Sequence, residues 1–388
     1  MSLVSKNAAT AGGARESATI SRRRISTVLR ASCAAMVVLC LLVLGYGCAK
    51  RQRPVSNLTA LERHLKKGSR LLAAGAYPSA IKEFELALAL EPDNLDAHLG
   101  LGLTYLQTTY YQGALEEFES ALEIDEESPE GHYGMGAAEF QLGDTTDAET
   151  HFKRAIVLEP DYALAYYSLG VINERRGDDH RAKEYYEGAV SRDPALTEAH
   201  YNLGALYART DRLNEAIGSF VEVKSLAPDL PEARIALGEA YRRTGRLDAS
   251  LEELDHAYDM APLDAEVHSQ RGLTLFAMDR VDESVASFKK ALAIQADHYE
   301  SLMGLADAQA GRGDISRAEL TLRRAVEADS SSVDARYKLA LALATQGRSS
   351  EAAEQLRRAL EMRPDPEALE RIETLLDELR GREETGTR

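Results

Sequence analysis

Cysteine and tryptophan are scarce in this sequence of 388 residues, which contains three cysteines and no tryptophan. Cys33, Cys40 and Cys48 all lie in the first 48 residues. The rest of the chain can therefore form neither a disulfide nor a thiolate metal site, which is compatible with an oxidising compartment without requiring one. The composition, with 44% hydrophobic and 28% charged residues, is that of an ordinary soluble protein.

Positive charge is also scarce beyond residue 48. The whole chain has 46 basic and 63 acidic residues, and six of the basic and one of the acidic residues precede residue 49. The remaining 40 basic and 62 acidic residues give this body a net charge of -22. Binding to nucleic acid draws on clustered lysine and arginine, so a body this acidic is not expected to bind it.

One apolar run, from Ala31 to Leu44, follows a basic segment that contains Arg22 to Arg24 and Arg30. This order is typical of a secretory signal. A run of this length is shorter than the roughly 20 residues that a spanning helix prefers, but it approaches the lower end of the usual range. The segment 1–48 is therefore interpreted as a signal peptide or an uncleaved membrane anchor, and residues 49–60 as a tether.

The end of the apolar run, from Leu44 to Cys48, resembles the lipobox of bacterial lipoproteins, with the small residue Gly47 before the cysteine. This resemblance implies lipidation of Cys48, and Ala49 in the next position implies sorting to the outer membrane. The segment Ser21 to Ile25 also resembles a twin-arginine signal. Each of these interpretations of the N-terminal segment places the body outside the cytoplasm, held at the cell envelope by its N-terminus.

Small residues recur every 34 positions along the body. One series consists of Gly68, Gly102, Gly136, Gly170, Gly204, Gly238, Gly272, Ala306 and Ala340. A second consists of Ala87, Ala121, Ala155, Ala189, Val223, Ala257, Ala291, Ala325 and Ala359. A third lies seven residues earlier, at Ala80, Ala114, Ala148, Ala182, Ala216, Ser250, Ser284, Ala318 and Ala352. A spacing of seven keeps residues on one helix face, so the pattern predicts pairs of closely packed helices.

Large residues lie between the last two series, at Phe84, Phe118, Phe152, Tyr186, Phe220, Leu254, Phe288, Leu322 and Leu356. With its period of 34, this layout resembles the tetratricopeptide repeat (TPR). The resemblance implies an all-α solenoid with nine helical hairpins in residues 61–366. A capping helix is expected over 367–381, where Gly381 stops it, and a disordered tail over 382–388.

The resemblance also implies a concave face, lined by the first helix of each repeat, that binds proteins or peptides. Carrying over the family's positions gives an outward-facing aromatic groove with a basic edge. Its predicted residues are Tyr133, Phe140, Tyr167, Arg175, Tyr201, Arg209, Ile235, Arg242 and Arg243. Tyrosine and arginine are common energetic anchors of interfaces, so the groove is expected to bind an extended segment with apolar and acidic groups.

Two other regular series have simpler explanations. Acidic residues at the helix starts, including Glu232, Glu266 and Glu300, complement the helix dipole. Five histidines share one register, at His64, His98, His132, His200 and His268. Packed helices lie roughly 8 to 10 Å apart, too far for a shared metal, so these histidines are interpreted as packing residues.

No catalytic arrangement, cofactor site or metal-ligand spacing is recognised, and no small-molecule substrate is expected. The first hypothesis is a non-catalytic, membrane-anchored scaffold for the assembly of pilus, secretion or cell-wall machinery, as the resemblance to bacterial lipoproteins implies. The alternative is an accessory subunit of an enzyme that makes or modifies glycans. A departure from the repeat, Arg271 at a core position, predicts a softer segment from Arg271 to Ser330.

Overall fold

The computed structural model describes residues 59–386, with side chains to residue 381. The predicted signal, the lipidation site Cys48 and most of the tether lie outside the described residues. Every regular element of the described part is a helix. None of these helices is long and apolar enough to cross a membrane.

The described residues form two compact units, one ending at Arg209 and the other beginning at Thr210. The helices of the first unit are α1 (Ala60–Ala73), α2 (Tyr77–Leu90), α3 (Leu95–Gln107), α4 (Tyr111–Ile124), α5 (Pro129–Leu142), α6 (Thr145–Leu158), α7 (Ala163–Arg176), α8 (Asp179–Arg192) and α9 (Thr197–Arg209). Successive pairs from α1 to α8 form four hairpins.

The helices of the second unit are α10 (Leu213–Leu226), α11 (Pro231–Arg243), α12 (Leu247–Met260), α13 (Ala265–Ala277), α14 (Val281–Ile294), α15 (Tyr299–Gly311), α16 (Ile315–Ala328), α17 (Val333–Thr345), α18 (Ser349–Glu361) and α19 (Pro366–Gly386). Pairs from α11 to α18 form four more hairpins. The predicted class, an all-α series of helical hairpins with a C-terminal helix, is confirmed.

Close helix crossings explain the glycines on the first helices. A Cβ atom at Gly170 would lie 2.5 Å from the ring of Tyr186, and one at Gly134 would lie 2.3 Å from Phe118. Such distances are far inside van der Waals contact, so only glycine lets the ring of the second helix pack this close. The predicted close packing of helix pairs, with small residues on one helix facing large side chains on the other, is thereby confirmed.

The turn inside each hairpin places one residue in the left-handed region. These residues also recur every 34 positions, at Gly75, Thr109, Gly143, Gly177, Asp211, Gly245, Asp279, Gly313 and Gly347. Glycine adopts this conformation without steric cost, whereas Thr109 must adopt it, at φ 60°, with a branched side chain. The repeat therefore requires a backbone conformation at this position, and three repeats meet it without glycine.

The C-terminal helix α19 covers the apolar end of the last hairpin. Ile372, Leu375, Leu376 and Leu379 are buried with residues of α17 and α18 in one hydrophobic cluster. The sequence predicted that this helix stops at Gly381. In the structure it continues to Gly386. An isolated glycine lowers helix propensity by only about 1 kcal/mol, so it need not end a helix.

Two charged residues at core positions find acidic partners. Lys67 Nζ lies 2.6 Å from Glu83 Oε1, and Arg271 Nε lies 2.6 Å from Asp255 Oδ1. The Arg271 guanidinium also lies 5.7 Å from the centre of the Tyr258 ring. The charged end of Arg271 therefore lies beside the second helix of the preceding hairpin, where Asp255 pairs with it.

Candidate partner-binding surface

The predicted groove residues lie on four first helices. Helices α5, α7 and α9 of the first unit hold Tyr133, Phe140, Tyr167, Arg175, Tyr201 and Arg209. Helix α11 of the second unit holds Ile235, Arg242 and Arg243. The predicted set therefore divides between the two units, and the surface of each unit has its own chemistry.

The aromatic ladder is mostly buried, contrary to the expectation of an outward-facing groove. Tyr133 is 5% exposed and Tyr167 is 1% exposed. The ring of Tyr133 packs 5.3 Å from that of Tyr162, which precedes the next first helix, and Tyr167 packs 5.9 Å from Tyr186. These two tyrosines offer little surface to a partner because neighbouring helices cover them.

An exposed platform remains where α5 meets α7. The guanidinium of Arg175 lies 4.2 Å from the centre of the Phe140 ring, within the distance of a cation–π interaction. Arg175 is exposed and Phe140 is half-buried, as is Tyr201 on α9. We call Phe140, Arg175 and Tyr201 the aromatic platform.

The predicted basic edge is largely neutralised inside the protein. Arg209 lies 2.8 Å from Asp179 and 3.1 Å from Glu174. Glu174 also accepts a hydrogen bond from the buried hydroxyl of Tyr186 at 2.7 Å. Arg209 therefore serves the packing of α7, α8 and α9, and Arg175 alone continues the predicted edge in this unit.

On the second unit the predicted residues meet acidic side chains. Ile235 is buried, and Arg243 lies 3.1 Å from Asp211 and 3.8 Å from Glu239. Arg242 has a buried Nε atom without a hydrogen-bond partner. Burial lowers the pKa of Arg242, while the nearby charges of Glu239, Glu300 and Glu266 oppose that shift.

Three carboxyl groups from successive first helices face Arg242. We call Glu239 on α11, Glu266 on α13 and Glu300 on α15 the carboxyl cluster. Burial, the charges of Glu266 and Glu239, and a hydrogen bond with Glu266 raise the pKa of Glu300 well above its ordinary value. Burial and these neighbouring charges favour the protonated form of Glu300, which can donate to the Glu266 carboxylate.

Buried polar side chains surround the carboxyl cluster. Gln270 Nε2 donates to Glu266 Oε1 at 2.8 Å, and His298 Nε2 lies 3.3 Å from Glu266 Oε2. Three buried oxygen atoms here have no hydrogen-bond partner: Ser269 Oγ, Gln270 Oε1 and Glu300 Oε2. This concentration of orphaned acceptors is unusual, because buried polar atoms in proteins are nearly always hydrogen-bonded.

The sequence interpretation missed this cluster. Glu266 and Glu300 were assigned to the helix dipole, which explains why acids occur at helix starts but not how neighbouring repeats bring them together. One sign was present in the sequence, because Ser269 occupies a position that is Tyr or Ile in the three preceding repeats. The sequence shows that a bulky side chain is missing at this position. It does not show that carboxyl groups of neighbouring repeats meet beside it.

The histidine series joins each hairpin to the turn before it. Four rings place Nε2 about 3 Å from the carbonyl oxygen six residues earlier: His98 to Pro92, His132 to Glu126, His200 to Pro194 and His268 to Pro262. His98 Nδ1 also lies 2.7 Å from Glu117 on the second helix. Within residues 59–386, no group of three or more potential metal ligands is found.

The third repeat turns this arrangement into a chain of titratable groups. Because the Glu126 carbonyl can only accept, His132 Nε2 carries the hydrogen, and neutral His132 accepts at Nδ1 from His151 Nδ1, 3.0 Å away. The lone pair on His151 Nε2 then faces Glu139, 3.5 Å away. Burial, followed by the charges of Asp147 and Asp144, raises the pKa of Glu139 to about 7.

Comparison with known proteins defines the class first. One family model, described as "Tetratricopeptide repeat", matches residues 65–129. A second model of the same repeat, described as "TPR repeat", matches residues 136–177. The chain is thus a TPR protein, with a fold suited to protein–protein interactions and typically non-catalytic. The model described as "Cilia and flagella-associated protein 70 C-terminal domain" matches residues 162–375, more than half of the chain, and the chain belongs to this family.

Solved structures agree on the fold. The crystal structure of the APC/C hetero-tetramer Cut9–Hcn1 is similar with a TM-score of 0.52 and 16% identity, over 82% of this chain. The chain spans 63% of the length of that neighbour. At this identity the similarity shows the TPR fold alone.

Two further solved structures are more distant. Pseudomonas aeruginosa PilF has a TM-score of 0.49 and 17% identity, over 54% of this chain and 95% of its own. YrrB, described as a TPR protein with an unusual peptide-binding site, has a TM-score of 0.39 and 23% identity, over 50% of this chain and 97% of its own. No curated protein sequence matches the chain significantly.

Proposed function

We propose that this protein is a membrane-anchored scaffold that holds a polypeptide segment of a partner on its first helices. The aromatic platform of the first unit is the observation that carries the proposal. Tyr133 and Tyr167 are buried, whereas Phe140, Arg175 and Tyr201 of the predicted set retain surface that a partner can reach.

The chemistry of the platform suits such a role. Arginine and aromatic residues dominate the binding energy of many interfaces, and a guanidinium stacked on a ring loses little further entropy when a partner binds. Arg175 keeps its donors at the edge of the stack, where they can meet a carboxylate or carbonyl group of an extended segment. The proposed partner therefore carries an apolar side chain next to an acceptor.

The test is crosslinking recovery of partners from native membranes with Phe140→Ala and Arg175→Ala combined. We expect recovery to fall about tenfold, as for the loss of interface anchors. Arg181→Ala is the matched control, because Arg181 is an exposed arginine on the second helix α8 with a side chain 67% exposed. Equal recovery from the double variant and the control would contradict the proposal.

We further propose that the N-terminus holds the body outside the cytoplasm at the cell envelope, where it assembles pilus, secretion or cell-wall machinery. The basic segment, the apolar run Ala31 to Leu44 and the lipobox-like sequence before Cys48 support this location. The cysteine-free body is compatible with an oxidising compartment.

Metabolic labelling with a palmitate analogue tests the anchor. We expect Cys48→Ser to abolish labelling, while Cys33→Ser and Cys40→Ser, which alter the other two cysteines of the segment, retain it. Loss of labelling with either control variant would contradict lipidation at Cys48. An unlabelled wild-type protein that stays in the membrane fraction would instead identify an uncleaved anchor.

A further inference from the structure

We infer that the carboxyl cluster of the second unit binds a lysine ammonium group of a partner polypeptide. This inference rests on the proposed function, since it assigns chemistry to the bound segment. Glu239, Glu266 and Glu300 come from three successive first helices, and the charges of all three act on Arg242, so the helices bring these carboxyl groups together.

The charges favour a cation. Arg242 faces all three carboxyl groups, and Arg243 lies 3.8 Å from Glu239. When all three carboxyl groups are ionised, Arg242 and Arg243 leave the cluster one positive charge short. A partner that neutralises these acids also complements the acidic body, whose net charge is -22 from 40 basic and 62 acidic residues beyond residue 48.

Buried acceptors next to the cluster point independently to a donor. Ser269 is 0% exposed with an unpartnered Oγ, and it lies three residues after Glu266, on the same helix face. Gln270 is 4% exposed, and it donates to Glu266 while its own Oε1 is unpartnered. Leaving buried acceptors without a donor is costly, and a bound donor relieves that cost.

The number of acceptors fits an ammonium group. Ser269 Oγ, Gln270 Oε1 and Glu300 Oε2 are three acceptors, and an ammonium group has three hydrogens to donate. A guanidinium is larger and planar, and Arg242 already places one beside the cluster. Lysine therefore matches the site better than arginine.

Binding of the ammonium group displaces the proton that Glu300 shares with Glu266. The charged groups that face Glu300 are Glu239, Arg242 and Glu266, with His298 bonded to Glu266. When a lysine enters, Glu300 ionises and the proton passes to solvent, so that the entering positive charge replaces the leaving one. Affinity should consequently rise with pH.

Isothermal titration with pentalysine tests the inference on the full chain. We expect wild type to bind with release of about one proton, measured from the heat in buffers of different ionisation enthalpy. Glu300→Gln should weaken binding about tenfold and abolish the proton release. The matched control Glu130→Gln removes a carboxyl group from the same repeat position on α5 of the first unit, and it should change affinity less than twofold.

Three results would overturn the inference. Equal weakening by Glu300→Gln and Glu130→Gln would show adsorption to the acidic surface in general, and binding without proton release would show that Glu300 is not involved. Tighter binding of spermidine than of pentalysine would assign the site to a free polyamine. Partner recovery with the Phe140 and Arg175 variants is measured separately, so failure of the scaffold proposal is distinguishable from failure of this one.

Discussion

At the scale of single residues, each hairpin turn requires one residue in the left-handed backbone conformation, which the series of small residues does not reveal. Six of nine turns place glycine in the left-handed conformation, and the others use Thr109, Asp211 and Asp279. Aspartate tolerates this region better than most residues because its short polar side chain bonds locally, whereas a β-branched residue does not. Thr109 is therefore the most strained of these turn residues.

Replacing Thr109 with glycine should stabilise the first unit. Relief of the left-handed strain gives roughly 1–2 kcal/mol, and the greater freedom of glycine in the unfolded chain offsets part of it. We expect a net gain of about 0.5–1 kcal/mol in the free energy of unfolding by urea. The reverse change, Gly177→Thr, should destabilise the protein, and a stabilising effect there would contradict the explanation.

The chain of Glu139, His151 and His132 predicts a pH dependence of stability. The folded pKa of Glu139 is about 7, above its ordinary value of 4.5, so its contribution is present below pH 4.5 and is lost as pH rises through 7. Burial lowers the pKa of both histidines, which makes their contribution opposite in sign. A comparison with Glu139→Gln isolates the carboxyl group, because both proteins keep the histidines.

Glutamine imitates the protonated carboxyl group, since its amide can donate to His151 Nε2. We expect wild type and Glu139→Gln to unfold at similar urea concentrations at pH 5, and the variant to be the more stable at pH 8. Parallel curves between pH 5 and pH 8 would show that Glu139 does not hold the proton. Glu130→Gln on the same helix serves as the control.

The residue scale also shows where sequence reasoning reaches its limit. The packing of the glycines, alanines and large residues depends on contacts within one hairpin, and it was predicted from the sequence. The burial of Tyr133 and Tyr167 depends on what the adjacent helices place over them. The meeting of Glu266 with Glu300 likewise depends on contact between repeats, which a helix-by-helix pattern does not contain.

At the scale of helices, α19 is a structural cap. Ile372 is 0% exposed in the cluster that closes the last hairpin. We expect Ile372→Ala to lower the free energy of unfolding by about 2–4 kcal/mol, because the cavity adds to the lost burial. The neighbouring exposed Glu373→Ala should change it by less than about 0.5 kcal/mol. Equal effects of the two changes in urea unfolding would show that α19 does not cap the unit.

Helices α13 to α16 are expected to open more readily than their neighbours. Sequence departures predicted a softer segment from Arg271 to Ser330, and the structure places unpartnered buried atoms of His268, Ser269 and Glu300 in or beside it. Each such atom reduces the gain from packing. Native-state hydrogen exchange should show faster exchange in α13 to α16 than in α11, α12, α17 and α18. Uniform protection would refute the prediction.

At the scale of the whole molecule, the acidic body predicts a response to salt. A large net charge destabilises a compact state by self-repulsion, and salt screens that repulsion. We expect the thermal midpoint to rise as sodium chloride increases from about 20 to about 200 mM. A falling midpoint would mean that local ion pairs, such as Arg348 with Glu319, outweigh the repulsion.

The fold of the molecule was readable because a 34-residue period constrains every repeat in the same way. The site could be predicted only in part, because some of its residues depart from the repeat pattern. Arg175 with Phe140 was found because both match family positions. Glu239 was missed because it belongs to no regular series in the sequence.

The bonds from His98, His132, His200 and His268 to the carbonyl groups before them also have a mechanical meaning. Each one braces the short turn that leads into its repeat, so a pulling force must break a side-chain bond before that turn can straighten. The proposed N-terminal anchor would put these turns under tension whenever the partner moves. These imidazole rings would then set the force at which individual turns yield.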